Sequence, residues 1–425
     1  MLAYARIASL LEDISKAERS DKAGLAAGLI AGLPEEMLCP CVRLLMGELW
    51  PSWEKRVMGM GPEAVEECLK EISTEDVTNL RETFGEMGLV AEAAIRHKSQ
   101  HAISTEPLQM MQVYNSLNRV SRQHGLESEH RRGAILRGLL LEAEPIEAKY
   151  IARTVMRNMW VGLGPQTLIA AIAKTFDVEA EQIRKAYALM PELGMVARSA
   201  STGTLAEIRI KPSRPVRPML IRQGKISDAS VPRAYIPRYS GLRVQVHKAG
   251  GEFFVYTMRL RDITSAMSSL FLELKAISHD LIVDAELLGY RNGLMLGQHE
   301  MVRYINRRTH SRHSTVAPVL VLWDMLYLDG EDLTPFAYEE RRKRLEEVLG
   351  AKGVTLTGIS IAEQRVLEWT GDMVEYSTRE GSKGLIARDL LAPYQPGRFS
   401  DSDLYIGAVE KRVEGRKMTP ILWSK

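Results

Sequence analysis

The sequence predicts an all-helical first half joined to an α+β second half, and three observations carry that expectation. Through residues 1 to about 200, apolar residues recur at three- and four-residue spacing, the period of a helix with one buried face. Beyond about residue 220, alternating or continuous β-type runs take over: LRVQVHK, EFFVYTMR, LIVDAELLGY and APVLVLWDMLYLDG. Between them lies KPSRPVRPML, residues 211–220, where three prolines punctuate the chain. The resulting division is a helical domain over 1–210, a linker over 211–222 and a mixed α and β domain over 223–425. A chain of 425 residues is too long for one ordinary core, which agrees with two domains.

The opening stretch, MLAYARIASLLEDISKAERSDKAG, carries Glu and Asp inside its apolar pattern. It reads as an amphipathic helix rather than a signal peptide. Short turn signals, GLPEE, MGMGPE, FGEMG and GLGPQ, separate the helical patterns that follow. In ISTEDVTNLRETF, Ser73 and Thr74 stand ahead of acidic residues and an apolar stripe, the pattern of a helix start. In AEPIEAKYIARTVMRNM, Pro145 falls in a first turn, where its missing N–H costs nothing. In the second half, AMSSLFLELKAI and YEERRKRLEEVL read as helices set between the strands.

Apolar residues make up 45% and charged residues 26%, the balance of a soluble globular protein. No apolar run approaches the roughly 18 to 20 residues of a membrane span, so the expected location is cytoplasmic, with no membrane partner. Three cysteines, Cys39, Cys41 and Cys68, are too few for a disulfide framework or a structural zinc site and read as buried thiols. A net charge of +2 imposes no global field, so any basic surface is local. Arg122, His124, Arg131, Arg132 and Arg137 form one such cluster, and Arg303, Arg307, Arg308 and Arg312 another. Clusters of this kind are usually solvated helix faces. GLGPQT, with Gly162 and Gly164, can offer backbone N–H groups at a helix start to a phosphate, with Arg153 and Arg157 adding charge; a plain interhelical turn is the other reading.

The ordered series RPVRPML, RYSGLRVQVHK, VYTMRLRDIT, LIVDAELLGY, WDMLYLDGEDL and KGLIARDLLAPYQPGR resembles the adenylation domain of archaeal-type ATP-dependent DNA ligases. The helical half, in EAEPIEAKYIARTVMRNMWVGLGPQTLIAAIA and PELGMVARSA, is similar to that family's DNA-binding domain. The resemblance implies a helical domain gripping duplex or nicked DNA and a nucleotidyltransferase domain, with the family's C-terminal OB domain expected to be missing. It also places both basic clusters and GLGPQT in segments near DNA. The expected grip is sequence-independent, through Arg122, Arg131, Arg132, Arg153, Arg157, Gly162, Gly164, Arg307 and Arg308, although Trp160 stands where the family has an arginine.

The same resemblance implies a site whose chemistry has been replaced. The family's first motif, Lys-x-Asp-Gly-x-Arg, supplies a lysine that attacks the α-phosphate of ATP; in RYSGLR, Arg238 takes the lysine's place and Ser240 the aspartate's, while Tyr239, Gly241 and Arg243 remain. A nucleophile needs a free lone pair, and a guanidinium stays protonated with a pKa above about 12. Ile236 stands for the glutamate that reads adenine, Met258 for a motif arginine beside Arg259, and Ala285 for a glycine beside Glu286. Lys383 replaces the glutamate that supports divalent-metal chemistry, and Arg388 replaces a lysine. The last motif's two lysines align with Tyr405 and Gly407, with Lys411 nearby. For Glu286 the plainer reading is an ion pair with a nearby arginine; for Asp324 and Asp329 it is a structural role.

These replacements imply no intact catalytic residue, no cofactor and no metal. The expected function is a DNA-binding scaffold or regulatory paralogue in replication or repair, with other proteins of those processes as possible partners. The alternative is an active ligase that forms lysyl-AMP on a displaced lysine such as Lys225 or Lys248, using ATP and Mg²⁺. A protein-interaction subunit that has abandoned DNA is a third reading.

Overall fold

A computed structural model describes residues 2–99, 106–226, 228–307, 315–349, 357–369 and 382–407. The chain divides into two compact units, residues 1–187 with 192–208, and residues 188–191 with 209–425.

The first unit is helical, as its period dictates. In chain order its helices are α1 (Tyr4–Lys16), α2 (Lys22–Ile30), α3 (Glu35–Met46), α4 (Pro62–Lys70), α5 (Val77–Phe84), α6 (Met87–Arg96), α7 (Met110–Ser121), α8 (Ser128–Glu142), α9 (Pro145–Met156), α10 (Pro165–Phe176), α11 (Ala180–Leu189) and α12 (Leu193–Ser201). The apolar stripes meet in the core: Ile7, Leu11 and Ile14 of α1 and Tyr150 and Ile151 of α9 are buried. Pro145 opens α9 at its first position, and Glu144 and Glu147 close a capping box around it.

The start of α5 lies elsewhere than the sequence pattern places it. Asp76, not Ser73 or Thr74, caps the helix by accepting from the backbone N–H groups of Thr78 and Asn79. Ser73 and Thr74 turn their hydroxyls to the end of α6, donating to the carbonyls of Ala94 and His97 at 2.8 and 3.1 Å. Asp76 directly precedes the first helical residue, where its carboxylate reaches the free N–H groups, while Ser73 and Thr74 lie too far ahead and satisfy carbonyls at the C-terminus of α6.

Two sheets form the second unit. Their strands are β1 (Leu220–Gln223), β2 (Arg233–Pro237), β3 (Leu242–Ala249), β4 (Glu252–Thr257), β5 (Leu281–Arg291), β6 (Leu294–Met295), β7 (Ala317–Leu328), β8 (Glu331–Asp332), β9 (Ile359–Ile361), β10 (Arg365–Leu367), β11 (Gly384–Asp389) and β12 (Phe399–Gly407). One sheet runs β1-β12-β11-β2-β10; the other runs β4-β3-β5-β7-β8, with β6 on β5 and β9 on β7. The remaining helices are α13 (Phe271–Ala276), α14 (Gln298–Ile305) and α15 (Tyr338–Leu349).

Alternation along β3 and β5 splits each strand between two environments. Val244, Val246, Val283, Ala285 and Leu287 pack with Leu274, Met301 and Leu345 of the three helices. Arg243, Gln245, Asp284 and Glu286 lie at the intervening positions and are buried as well. Ile236 of β2, Ile386 of β11, Leu288 of β5 and Trp323 of β7 make a second core that joins the two sheets.

The segment 211–222, expected as a linker, belongs to the second unit. Val216 and Met219 are fully buried, and the backbone N–H and C=O of Val216 both bond to the Gln245 side chain, at 3.0 and 2.6 Å. Leu220 begins β1, which pairs in parallel with β12. Lys211 and Arg214 face each other across a tight turn that contains Pro212, and beyond it the chain runs into β1 with Val216 and Met219 buried, so it packs as a wall rather than hanging free.

Asp76→Ala is expected to cost the helical unit about 1 kcal/mol, since two helix-end N–H groups lose their acceptor. Urea unfolding of the two proteins measures it; equal midpoints would show that the cap carries no weight.

Candidate functional site

Four stretches bring the replaced motif positions together: the end of β2, the turn into β3, the start of β11 and the end of β12. The Arg238 N–H donates to the carbonyl of Gly384 at 2.9 Å, and the Arg238 carbonyl accepts from the N–H of Lys383 at 2.7 Å. The guanidinium of Arg238 lies over the ring of Tyr405, 4.7 Å from its centroid. The Tyr405 hydroxyl in turn donates to the Lys383 carbonyl at 2.9 Å. Arg238, Lys383 and Tyr405 therefore hold one another. The Lys383 side chain itself points to solvent.

Beside Arg238 the cleft narrows to a cavity of about 30 Å³, space for a water or two, with Leu220, Ile221 and Ile386 on its walls. Arg243, Trp323 and Tyr405 complete the lining, and the indole N–H of Trp323 is buried without a hydrogen-bond partner among the described residues. Ile236, at the adenine-reading position, is buried in the core that joins the sheets.

Gly241 sits where only glycine fits: a Cβ there would lie 2.6 Å from the Leu287 carbonyl oxygen and 2.7 Å from Glu286 Cγ. This close approach lets Glu286 reach the turn, accepting from the Gly241 N–H at 2.8 Å and the Tyr239 N–H at 3.3 Å. Its hydrogen-bonding partners are therefore backbone amides, not the neighbouring arginine that sequence reasoning favoured. Burial pushes its carboxyl up to about 7, against the pull of those N–H groups and of Arg238 and Arg243. Ser240 is half-buried in the same turn; Met258 is half-buried and Arg259 exposed in the turn after β4.

Arg243 forks onto Asp284, with Nε to Oδ1 at 3.1 Å and Nη2 to Oδ2 at 2.5 Å, and donates to the Met219 carbonyl at 2.6 Å. Tyr394 donates its hydroxyl to Asp284 at 2.9 Å. Next to Asp284 across the sheet lies Asp324. A bulge in β7 inserts Trp323 between Asp324, the partner of Asp284, and Leu322, the partner of Ala285, turning the consecutive side chains of Trp323 and Asp324 to one side. Arg341 of α15 clasps Asp324 with two bonds, at 2.8 and 3.0 Å, and Arg388 of β11 bonds it from the opposite sheet. Arg388 also pairs with Asp403 at 3.3 Å. Burial raises the Asp324 carboxyl, but its two guanidiniums outweigh that and hold it below the usual carboxylate range. Asp324 is thus structural, and so is Asp329, which accepts from the Asp280 N–H and pairs with His279 at 2.6 Å on the surface.

Sequence reasoning singled out Arg243 and Arg388 but missed Asp284, Arg341, Asp403 and Tyr394. The available signal was polar alternation: Arg243, Gln245 and His247 on β3, and Asp284 and Glu286 on β5, place a row of polar groups on one face of strands otherwise apolar. Burial drives the His247 imidazole down to about 3, so it is neutral.

In the helical unit, the expected DNA-contacting residues part ways. Arg153 is buried, paired with Glu86 at 3.0 Å and lying over the Tyr150 ring, so it is not a surface cation. Arg132 is half-buried and donates to the carbonyls of Gly59 and Gln123. Arg131 is exposed and braces the same loop through Gln123 and the His124 carbonyl. Arg122 and Arg157 are exposed. Gly164 caps α10, Pro165 is its first residue, and Gly162 has a left-handed backbone. Lys22, which sequence reasoning missed, donates to the Val161 carbonyl of this loop at 2.8 Å. In the second unit Arg307 is exposed at the end of α14; Arg308, Arg312 and Lys411 lie outside the described residues.

A helical unit followed by two sheets meeting at these motif positions defines a ligase-type nucleotidyltransferase fold. The family described as DNA ligase N terminus matches residues 3–173, and that described as ATP dependent DNA ligase domain matches residues 227–404. The DNA ligase of Thermococcus fumicolans is 30% identical over 420 residues, covering 93% of this chain and 73% of that one. The DNA ligase of Methanoculleus marisnigri is 30% identical over 393 residues, covering 89% and 70%. A solved structure named Pmar-Lig_PreS3 shares the fold with a TM-score of 0.55 at 12% identity, over 94% of this chain and 78% of that one. This chain belongs to the ATP-dependent DNA ligase family. No helix among the described residues is long and apolar enough to cross a membrane.

Asp324→Ala strands two buried guanidiniums and is expected to destabilise the second unit by about 3–5 kcal/mol, read as a lowered urea midpoint. A loss below about 1 kcal/mol would mean that water reaches Arg341 and Arg388. For Glu286, a raised folded-state pKa means that its stabilisation is complete below about pH 4.5 and is lost as pH rises toward about 7. The stability advantage of the wild type over Glu286→Gln should therefore shrink across that window; parallel curves would count against a buried, protonated carboxyl.

Proposed function

We propose that this protein binds duplex or nicked DNA through its helical unit, does not adenylate itself, and serves as a scaffold or regulatory paralogue in DNA replication or repair. The observation that carries the reading is the stack of Arg238 on Tyr405: the position that would attack phosphorus and the position that would hold phosphate occupy each other. A guanidinium offers no lone pair at physiological pH, so it cannot form the P–N bond.

The surrounding groups do not fit Mg²⁺·ATP either. No group of three or more His, Cys, Asp or Glu among the described residues is placed to hold a metal. Asp284 and Asp324 are spent on Arg243, Arg341 and Arg388, and Lys383 supplies a positive charge where a hard cation needs an oxygen anion. Of the displaced lysines, Lys248 lies six residues along β3 from Leu242, roughly 20 Å at a strand's rise. It is buried there at the far end of the strand. Lys225 is exposed just after β1, one residue beyond Gly224, whose N–H donates to the Tyr405 carbonyl.

Support for DNA binding comes from membership in a family whose relatives are named DNA ligases, and from exposed Arg122, Arg131 and Arg157 on the helical unit. Cations of this kind grip the backbone without reading bases.

Incubation with α-labelled ATP and Mg²⁺ followed by denaturing electrophoresis is expected to leave the wild type, Arg238→Lys and Lys225→Ala equally unlabelled. AMP on the wild type would overturn the inactivity, and its loss in Lys225→Ala would name the lysine. Affinity for a nicked duplex should fall about a thousandfold from about 50 to about 200 mM salt, as roughly six phosphate contacts require. A flat response would remove DNA as the partner.

A further inference from the structure

Trp160 is 66% exposed, and the chain around it is built to keep it so. Loop residues 157–164 join α9 to α10, and every second side chain is anchored: Met159, Val161 and Leu163 are buried, while Asn158 and Trp160 face solvent. Arg157 and Trp160 both adopt left-handed backbone conformations, with φ of 55° each, as does Gly162 at 66°. Non-glycine residues take up that region only where the surroundings enforce it. The enforcement is visible: Met159 packs so closely on α3 that a Cβ at Gly47 would meet its Cγ at 2.4 Å, and Lys22 Nζ holds the Val161 carbonyl. The indole is thus presented on a stiff support, and little ordering is needed when it binds something flat.

What it would bind follows from its neighbours. Arg157 is exposed, Lys22 is half-buried beside Gly162, and α10 directs its amino end at the loop. Glu48, the carboxylate that senses Arg157, is half-buried. A flat aromatic surface bordered by cations matches a flat π-surface on a polyanion. In an intact duplex both faces of each base are covered by neighbours, so only a base freed at an interruption offers that surface.

Resting on the DNA-binding reading, we infer that Trp160 stacks on an unpaired base beside a strand break, so that the protein prefers interrupted DNA to intact duplex. The loop works as a probe for unstacked bases, with Arg157 and Lys22 holding the adjoining phosphates.

The test uses the full chain and two labelled duplexes of one sequence, one intact and one with a one-nucleotide gap, titrated by fluorescence anisotropy at low salt and, for the wild type, again at raised salt. Wild type should bind the gapped duplex more tightly. Trp160→Ala should lose about tenfold on the gapped duplex and less than about twofold on the intact one, while Trp160→Tyr keeps most of the gap preference. If Trp160→Ala binds both duplexes as the wild type does, stacking is overturned while DNA binding stands. Equal losses on both duplexes would indicate a wedge into paired DNA and overturn the preference for unpaired bases. Absence of salt-sensitive binding by the wild type to either duplex would remove the underlying DNA reading instead.

Discussion

Six buried charges hold the second unit together. Arg243, Arg341 and Arg388 face Asp284, Asp324 and Asp403, three cations against three anions, all nearly inaccessible to water. Charges taken out of water are tolerated only when each finds an opposite partner and its remaining hydrogen bonds are met, so these positions constrain one another. Through Asp324 the network ties β7 to α15 and, by Arg388, to the five-stranded sheet. The bulge that turns Asp324 to the same side as Trp323 is what makes the junction possible.

The same constraint shapes the nucleotidyltransferase frame around the motif positions. Arg243 and Arg388 lie at motif positions, yet both have their guanidiniums engaged in ion pairs within the protein. Gly241 and Glu286 likewise shape the turn that leads into β3, and the shape survives because backbone amides, not a ligand, satisfy the carboxylate. Catalysis needs groups that are available, and structure needs groups that are engaged. Around Arg238, Tyr405 and Lys383 are engaged with it and with each other.

The helical unit shows the same sorting of cations. Arg153 belongs to a buried pair with Glu86 and Arg132 to a loop brace, whereas Arg122 and Arg157 stand free of the core. A count of basic residues in the segment does not distinguish these roles, because the acidic partner of Arg153 lies 67 positions away. Lys22 arrives at the α9–α10 loop from an even greater distance along the chain, 139 residues.

The sequence alone determined the order of helices and strands, because side-chain periodicity is a local property: period near 3.6 before residue 200, period two after it, with Pro145 marking a helix start. It also determined that position 238 carries a guanidinium rather than an amine, since that is a property of one residue. Only the tertiary structure decided that residues 211–222 are wall rather than linker, and that Glu286 bonds to amides rather than to an arginine. It alone decided that Asp324 and Arg388, 64 residues apart, neutralise each other. Pairing between distant buried groups depends on which strands become neighbours and where a bulge falls, and neither is encoded within a few residues of the groups it joins.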